Sequence, residues 1–212
     1  MNKKAIALSS ISAVLLSISS LVIALPAFAH HPSGGEVPSN FAEGFLSGIG
    51  HPVIGIDHLV FVVAIGLVAA LSKKLGMVIP VASVAATAAG TALHLQSINL
   101  PVPELMISAS VLVMGIFLAR EKQVNLAIVT AIAAIAGIFH GYAYGESIVG
   151  AETTALGAYL LGFCSIQLLI SAIAFYVARS LIKTAKPCIW LRFAGFTISG
   201  IGFAFVSNVI LS

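Results

Sequence analysis

The sequence predicts an all-α integral membrane protein, with six transmembrane helices after a cleavable signal peptide and both mature termini outside. Three observations carry this reading. Apolar residues make up 59% of the 212 positions and charged residues only 8%, with a mean hydropathy of +1.12. A soluble domain has roughly 25% charged residues, because its surface must be hydrated. The apolar residues gather into stretches about the length that crosses a bilayer, and the cations fall between alternate pairs of those stretches.

The first stretch is expected to be removed. Lys3 and Lys4 precede an apolar run from Ala5 to Leu25, and Pro26-Ala27-Phe28-Ala29 ends it. Ala27-x-Ala29 is the small-x-small pattern read by a signal peptidase. Cleavage there divides the chain into a signal peptide, 1–29, and a single transmembrane domain, 30–212. The new N-terminus is His30-His31-Pro32, outside the cytoplasm.

A membrane-crossing helix needs about 20 apolar residues, within a range of roughly 17–25. Six stretches, near 54–72, 76–95, 103–119, 124–142, 154–178 and 190–211, meet that need or nearly so. Short connections predict antiparallel packing of neighbours. Glycine and other small residues, as in Ala85-Ala86-Thr87-Ala88-Ala89-Gly90, suit close helix packing in lipid. Lys73, Lys74, Arg120, Lys122, Arg179, Lys183, Lys186 and Arg192 all lie around alternate connections, whereas Gln96 to Val102 and Gly145 to Thr153 hold no cation. The positive-inside rule puts the basic connections in the cytoplasm.

Once the topology is drawn, the other ionisable residues sort by side. Glu36, Glu43, Asp57, Glu104, Glu146 and Glu152 fall in outer segments or at outer helix ends, and only Glu121 is cytoplasmic. The histidines, His30, His31, His51, His58, His94 and His140, all fall outside or near outer helix ends. An ionisable group at mid-span costs roughly 2.5–3.5 kcal/mol on insertion scales, less toward the interface. Asp57-His58 inside an apolar helix therefore points to function. Imidazole binds nickel, cobalt, zinc and copper, and carboxylates complete the shell or hold the imidazole from behind.

On an unbroken helix His51 and His58 share a face but stand about 10 Å apart, too far for one metal at about 2.1 Å per bond. Pro52 and Gly55 predict a break, and a bend there turns His51 back toward His58. The preceding stretch, 41–50, is too short to span and reads as a re-entrant or interfacial helix, tolerated where protein or a cavity covers it. Plainer roles stand beside these. His94 also suits an ordinary helix-end polar residue, His30 and His31 also suit a loosely held cation scavenger, and Glu152 suits a solvated loop charge. Cys164 and Cys188 lack the spacing of a disulfide framework or a thiolate site. The scattered cations lack the basic surface and interleaved aromatics of a nucleic-acid binder.

His51-Pro52-Val53-Ile54-Gly55-Ile56-Asp57-His58 reads HPxxGxDH, which resembles the signature of the HupE/UreJ family of nickel and cobalt permeases. Phe139-His140-Gly141-Tyr142-Ala143-Tyr144-Gly145 resembles the family's second motif, FHGxAHG. Glu104 with Ser108 and Gly115 is similar to its third helix, and a signal peptide followed by His-His-Pro is typical of it. The resemblance covers nearly the whole mature chain. It implies a secondary permease of the bacterial inner (plasma) membrane, with its histidines toward the periplasm, that takes up nickel, or cobalt, and serves the maturation of nickel enzymes. It implies His51, Asp57 and His58 as metal residues of the first motif and His140 as that of the second. The sequence departs at Tyr144, where many members have a second histidine, and His94 or Glu146 then become candidate replacements.

Metal would be collected by His30, His31 and the acidic outer loops, including Glu104, and bound as transported Ni2+ or Co2+ with no permanent cofactor. The absence of a Gly-x-x-x-x-Gly-Lys-Ser/Thr motif leaves no ATP site of that kind on the chain. Two alternatives use the same residues: an intramembrane zinc hydrolase, with three imidazoles on zinc and Asp57 or Glu146 as general base, and a metal-binding accessory subunit without transport. A retinal-type pump is disfavoured, since no lysine lies within an expected span.

Overall fold

The computed structural model describes residues 37–120, 122–184 and 188–212. The signal peptide, His30, His31, Glu36, Glu121 and Lys186 lie outside them. The described residues form seven helices and no strand: α1 Phe41–Ile54, α2 Ile56–Ala69, α3 Val78–Leu95, α4 Pro103–Ala119, α5 Leu126–Glu146, α6 Thr153–Thr184 and α7 Ile189–Leu211. Each of the six expected stretches overlaps one of α2 to α7, with α5 running on past its stretch to Glu146 and α6 past its stretch to Thr184. By length and composition α3, α5, α6 and α7 suffice to cross a membrane, α1 and α2 together qualify as one bent span, and α4 is a shorter apolar helix. This is a multi-pass membrane protein of four or five candidate spans.

Local chemistry sets the helix starts. Asn40 caps α1 by accepting from the Glu43 amide at 3.0 Å, and the Glu43 carboxylate returns to the Ser39 amide at 2.8 Å. This reciprocal pairing satisfies N–H groups that a first turn leaves open. Asn125 caps α5 in the same way, accepting from the Ile128 amide.

The expected first span, 54–72, is shorter at both ends: the chain bends by 80° between α1 and α2, which sets its start, and it passes into a turn after Ala69. Pro52 lies inside α1 and has no N–H to give its preceding turn. At Gly55 the backbone leaves the helical region, although its N–H still bonds His51 O at 3.1 Å and its carbonyl accepts from Leu59 N at 2.8 Å. Gly55 is needed here for space. A Cβ would stand 2.7 Å from the His58 ring and 3.2 Å from the Asp57 carboxylate.

Helix pairing differs from the expected neighbour-on-neighbour pattern. The broadest contacts join α3 to α5, α4 to α7 and α1 to α6. Glycine selects these partners, because it lets backbones touch where lipid gives no drive for association. A Cβ on Gly90 would strike Ile138 O, and one on Gly141 would strike Thr87 O. Gly44 and Gly48 abut Ala155 and Tyr159, so α1 runs parallel to α6; Gly115, Gly195 and Gly202 join α4 to α7. The main core lies toward the basic ends of the helices, around Phe61, Ile65, Val68, Val111, Met114 and Leu118. At that end Arg179 Nη1 donates to Ala70 O at 3.3 Å and Ser72 O at 3.1 Å, occupying carbonyls of the turn that follows α2.

Because α3 and α5 meet backbone to backbone, Gly141→Leu is expected to destabilise the protein by about 1–3 kcal/mol or more through overpacking. Gly157→Leu, where a Cβ meets nothing within 4 Å, should leave the melting temperature in detergent near that of the wild type.

Candidate metal centre

The bend does what the spacing of the first motif requires. His51 on the last turn of α1 is turned toward His58 on the first turn of α2, with ring centroids 5.5 Å apart. His140 approaches from α5, its centroid 4.9 Å from that of His58. The three rings are buried. Two imidazoles on one ion, with bonds of about 2.1 Å, put their centroids roughly 4.6–6.4 Å apart for angles between 90° and 180°. Both observed spacings lie in that interval.

The proton pattern is settled by the neighbours. Ser110 Oγ on α4 donates its one hydrogen to Ile107 O at 2.6 Å. It therefore accepts from His140 Nε2, 3.0 Å away. With His140 neutral and protonated on Nε2, its Nδ1 carries the lone pair. His58 Nδ1 lies 2.7 Å from that atom and so donates to it. Phe61 stacks on the His140 ring at 4.0 Å and 15°, which holds the ring plane. Fixing one ring nitrogen through its hydrogen bond is how proteins orient an imidazole toward a metal with the other.

His51 is held in a similar way. Tyr159 OH on α6 gives its hydrogen to Tyr144 O at 2.9 Å, so toward His51 Nδ1, at 3.3 Å, it can only accept. Ser147 Oγ is 2.9 Å from the same nitrogen. The tautomer that satisfies Tyr159 has its proton on Nδ1 and its lone pair on Nε2. Tyr144, wholly buried, sits edge-on to His51 at 4.7 Å and to His58 at 4.5 Å.

The remaining sequence candidates are placed elsewhere or differently. Asp57 is half-buried, and its Oδ1 accepts from the His58 amide at 2.9 Å. A carboxylate in the first turn of α2 also faces the positive end of the helix dipole, so Asp57 has a structural role at the break besides its place beside the imidazoles. His94 packs against Tyr142, with centroids 4.5 Å apart, and against Gly145. Those two residues lie roughly 140–200° around α5 from His140. Glu104 and Glu146 are exposed at helix ends. Thus His51, His58 and His140 come together with Asp57 adjacent, while His94, Glu104 and Glu146 stand apart from them.

Among the described residues, no three His, Cys, Asp or Glu side chains present donors spaced for one ion as they stand. The hydrogen bond between His58 and His140 is one obstacle to a shared ion. Nitrogens sharing an ion at about 90–109° stand roughly 3.0–3.4 Å apart, and these two are closer because they share a proton. For one ion to bridge these two nitrogens, the pair would have to part by a few tenths of an ångström and the shared proton would have to leave His58 Nδ1, to Nε2 or to a base. Sequence reasoning missed Ser110, Ser147, Tyr159 and Phe61. Only Tyr159 carried a signal, a phenol in an apolar span that needs a hydrogen-bond partner.

The comparisons with known proteins agree with the motifs. The family model described as HupE / UreJ protein matches residues 18–205. A curated relative, Protein HupE of Rhizobium leguminosarum bv. viciae, is 30% identical over 157 residues, covering 74% of this chain and 78% of its own length. No solved structure matches.

Removal of the Ser110 hydroxyl tests the proton assignment. Ser110→Ala leaves a buried Nε2–H without an acceptor, for an expected loss of about 1–3 kcal/mol. Nitrogen-15 NMR of the His140 ring should change from one tautomer to a mixture, and Ser110→Thr should retain the single tautomer.

Proposed function

Since this chain belongs to the HupE/UreJ family, a membrane permease and accessory family, we propose that it is a secondary permease that takes up a divalent transition-metal ion, nickel or cobalt. The observation that carries this reading is the convergence of His51, His58 and His140 in a buried site shared by α1, α2 and α5. Imidazole nitrogens suit nickel and cobalt, and a buried cluster of titratable rings in a membrane protein is costly unless it serves function.

In this reading residues 1–29 are removed, and six segments cross the inner membrane, with the bent α1–α2 pair forming the first. The basic connections face the cytoplasm and the histidines lie toward the periplasm. Exposed Glu104 and Glu146, with His94 and the N-terminal His30 and His31, lie on the side from which the ion arrives. His140 Nδ1 offers a lone pair in the tautomer set by Ser110, and His51 is the ligand from α1, its ring held by Ser147 and Tyr159. His58 becomes a ligand once its shared proton leaves. Asp57 balances the ion's charge beside it.

The ion must be released inward, so the site is a transit station rather than a resident cofactor site. A membrane potential of 100 mV supplies about 4.6 kcal/mol for an inward-moving divalent cation. Capture by the machinery that matures nickel enzymes would remove it on the cytoplasmic side.

Uptake of labelled nickel and cobalt in cells lacking other importers tests this. The wild-type chain should carry metal, and His58→Ala and His140→Ala, at equal membrane levels, should abolish the flux. Metal binding without flux would make the chain an accessory subunit, and retained zinc with a hydrolytic activity would make it an enzyme.

A further inference from the structure

Around the three histidines almost every polar group is matched. His140 has Ser110 and His58 as partners, His51 has Ser147 and Tyr159, and the Tyr159 hydroxyl has Tyr144 O. Tyr144 OH is the exception: it is buried and has no hydrogen-bond partner. A buried phenol normally finds one. Its ring is wedged edge-on between His51 and His58 and packs on Phe163 at 5.4 Å, so the hydroxyl is held in place by three neighbours.

Resting on the reading of this cluster as the metal site, we infer that the Tyr144 hydroxyl oxygen accepts a hydrogen bond from a water kept by the bound ion, and so selects divalent ions that arrive with part of their hydration shell. A neutral phenol is a weak ligand, but its oxygen is a ready acceptor for the strengthened O–H of a water polarised by a cation. Three imidazoles fill three positions on an ion. Nickel(II) and cobalt(II) accept further ligands, and in a dry site a retained water must itself be held by a polar partner. Tyr144 is the one residue of the cluster with a hydroxyl uncommitted to the protein. Copper(I), which imidazoles bind without any water, gains nothing from that hydroxyl.

Tyr144→Phe isolates the hydroxyl. Because that group bonds to nothing in the protein, its loss should leave the metal-free melting temperature equal or slightly higher. In the full-length chain in detergent, nickel(II) and cobalt(II) binding should weaken about ten- to a hundredfold, the worth of a hydrogen bond to a charged group, and copper(I) binding should hold. Tyr142→Phe, on the opposite side of α5, should change neither. Equal affinities in Tyr144→Phe and wild type, or an equal loss for copper(I), would overturn the inference and leave the permease reading standing. A wild-type chain that binds neither nickel nor cobalt would overturn the metal-site reading itself. A second measurement needs no variant: the copper(II)-loaded wild-type chain in deuterated water should show electron spin-echo modulation from a coordinated water, and its absence would overturn the inference.

Discussion

A transmembrane segment has no water to satisfy its backbone, so any departure from helix must be compensated by protein. The departure at Gly55 is the constraint on which the site depends. Pro52 withholds one amide, Gly55 turns the chain, and α1 and α2 leave the junction at 80°. The polar groups freed at this corner find local partners: Gly55 N bonds His51 O, Leu59 N bonds Gly55 O, and the Asp57 carboxylate takes the His58 amide. The same corner converts two histidines about 10 Å apart along a straight helix into rings 5.5 Å apart. Straightening the corner would relieve the backbone and dissolve the cluster.

Holding the imidazoles in place falls to residues of unremarkable chemistry. Ser110 needs its own hydrogen for Ile107 O, and that commitment determines the tautomer of His140. There a backbone carbonyl one step removed decides which nitrogen of a histidine carries a lone pair. Tyr159 likewise commits its hydrogen to Tyr144 O, while His51 Nδ1 is shared between Tyr159 and the nearer Ser147 hydroxyl. A serine or tyrosine replaced by a residue of the same size but no hydroxyl would therefore disturb the site without touching a candidate ligand.

Much of this was legible in the sequence, for reasons of scale. Long apolar runs and clustered cations report on the bilayer over twenty residues at a time, so the positions of α2 to α7 could be read closely. The motif containing His51, Pro52, Gly55, Asp57 and His58 showed both the candidate ligands and the means of bending the chain between them. The partner choice of the helices was not legible, because Gly90 meeting Ile138 and Gly141 meeting Thr87 are pairings between residues some fifty positions apart, and small residues recur in every span. Ser110 was hidden for a similar reason. Ser108 and Ser110 lie on one helix, both are buried, and only the arrival of α5 distinguishes the one that touches His140.

The three glycine seams divide the bundle into α1 with α6, α3 with α5, and α4 with α7. His51 and Tyr159 belong to the first pair, His140 and Tyr144 to the second, and Ser110 to the third; His58 sits on α2 beside the bend. Each pair is joined along its length by close backbone contact, and the histidine cluster is where all three pairs meet. The spacing of the three rings is thus a gauge of how the three pairs lie against one another.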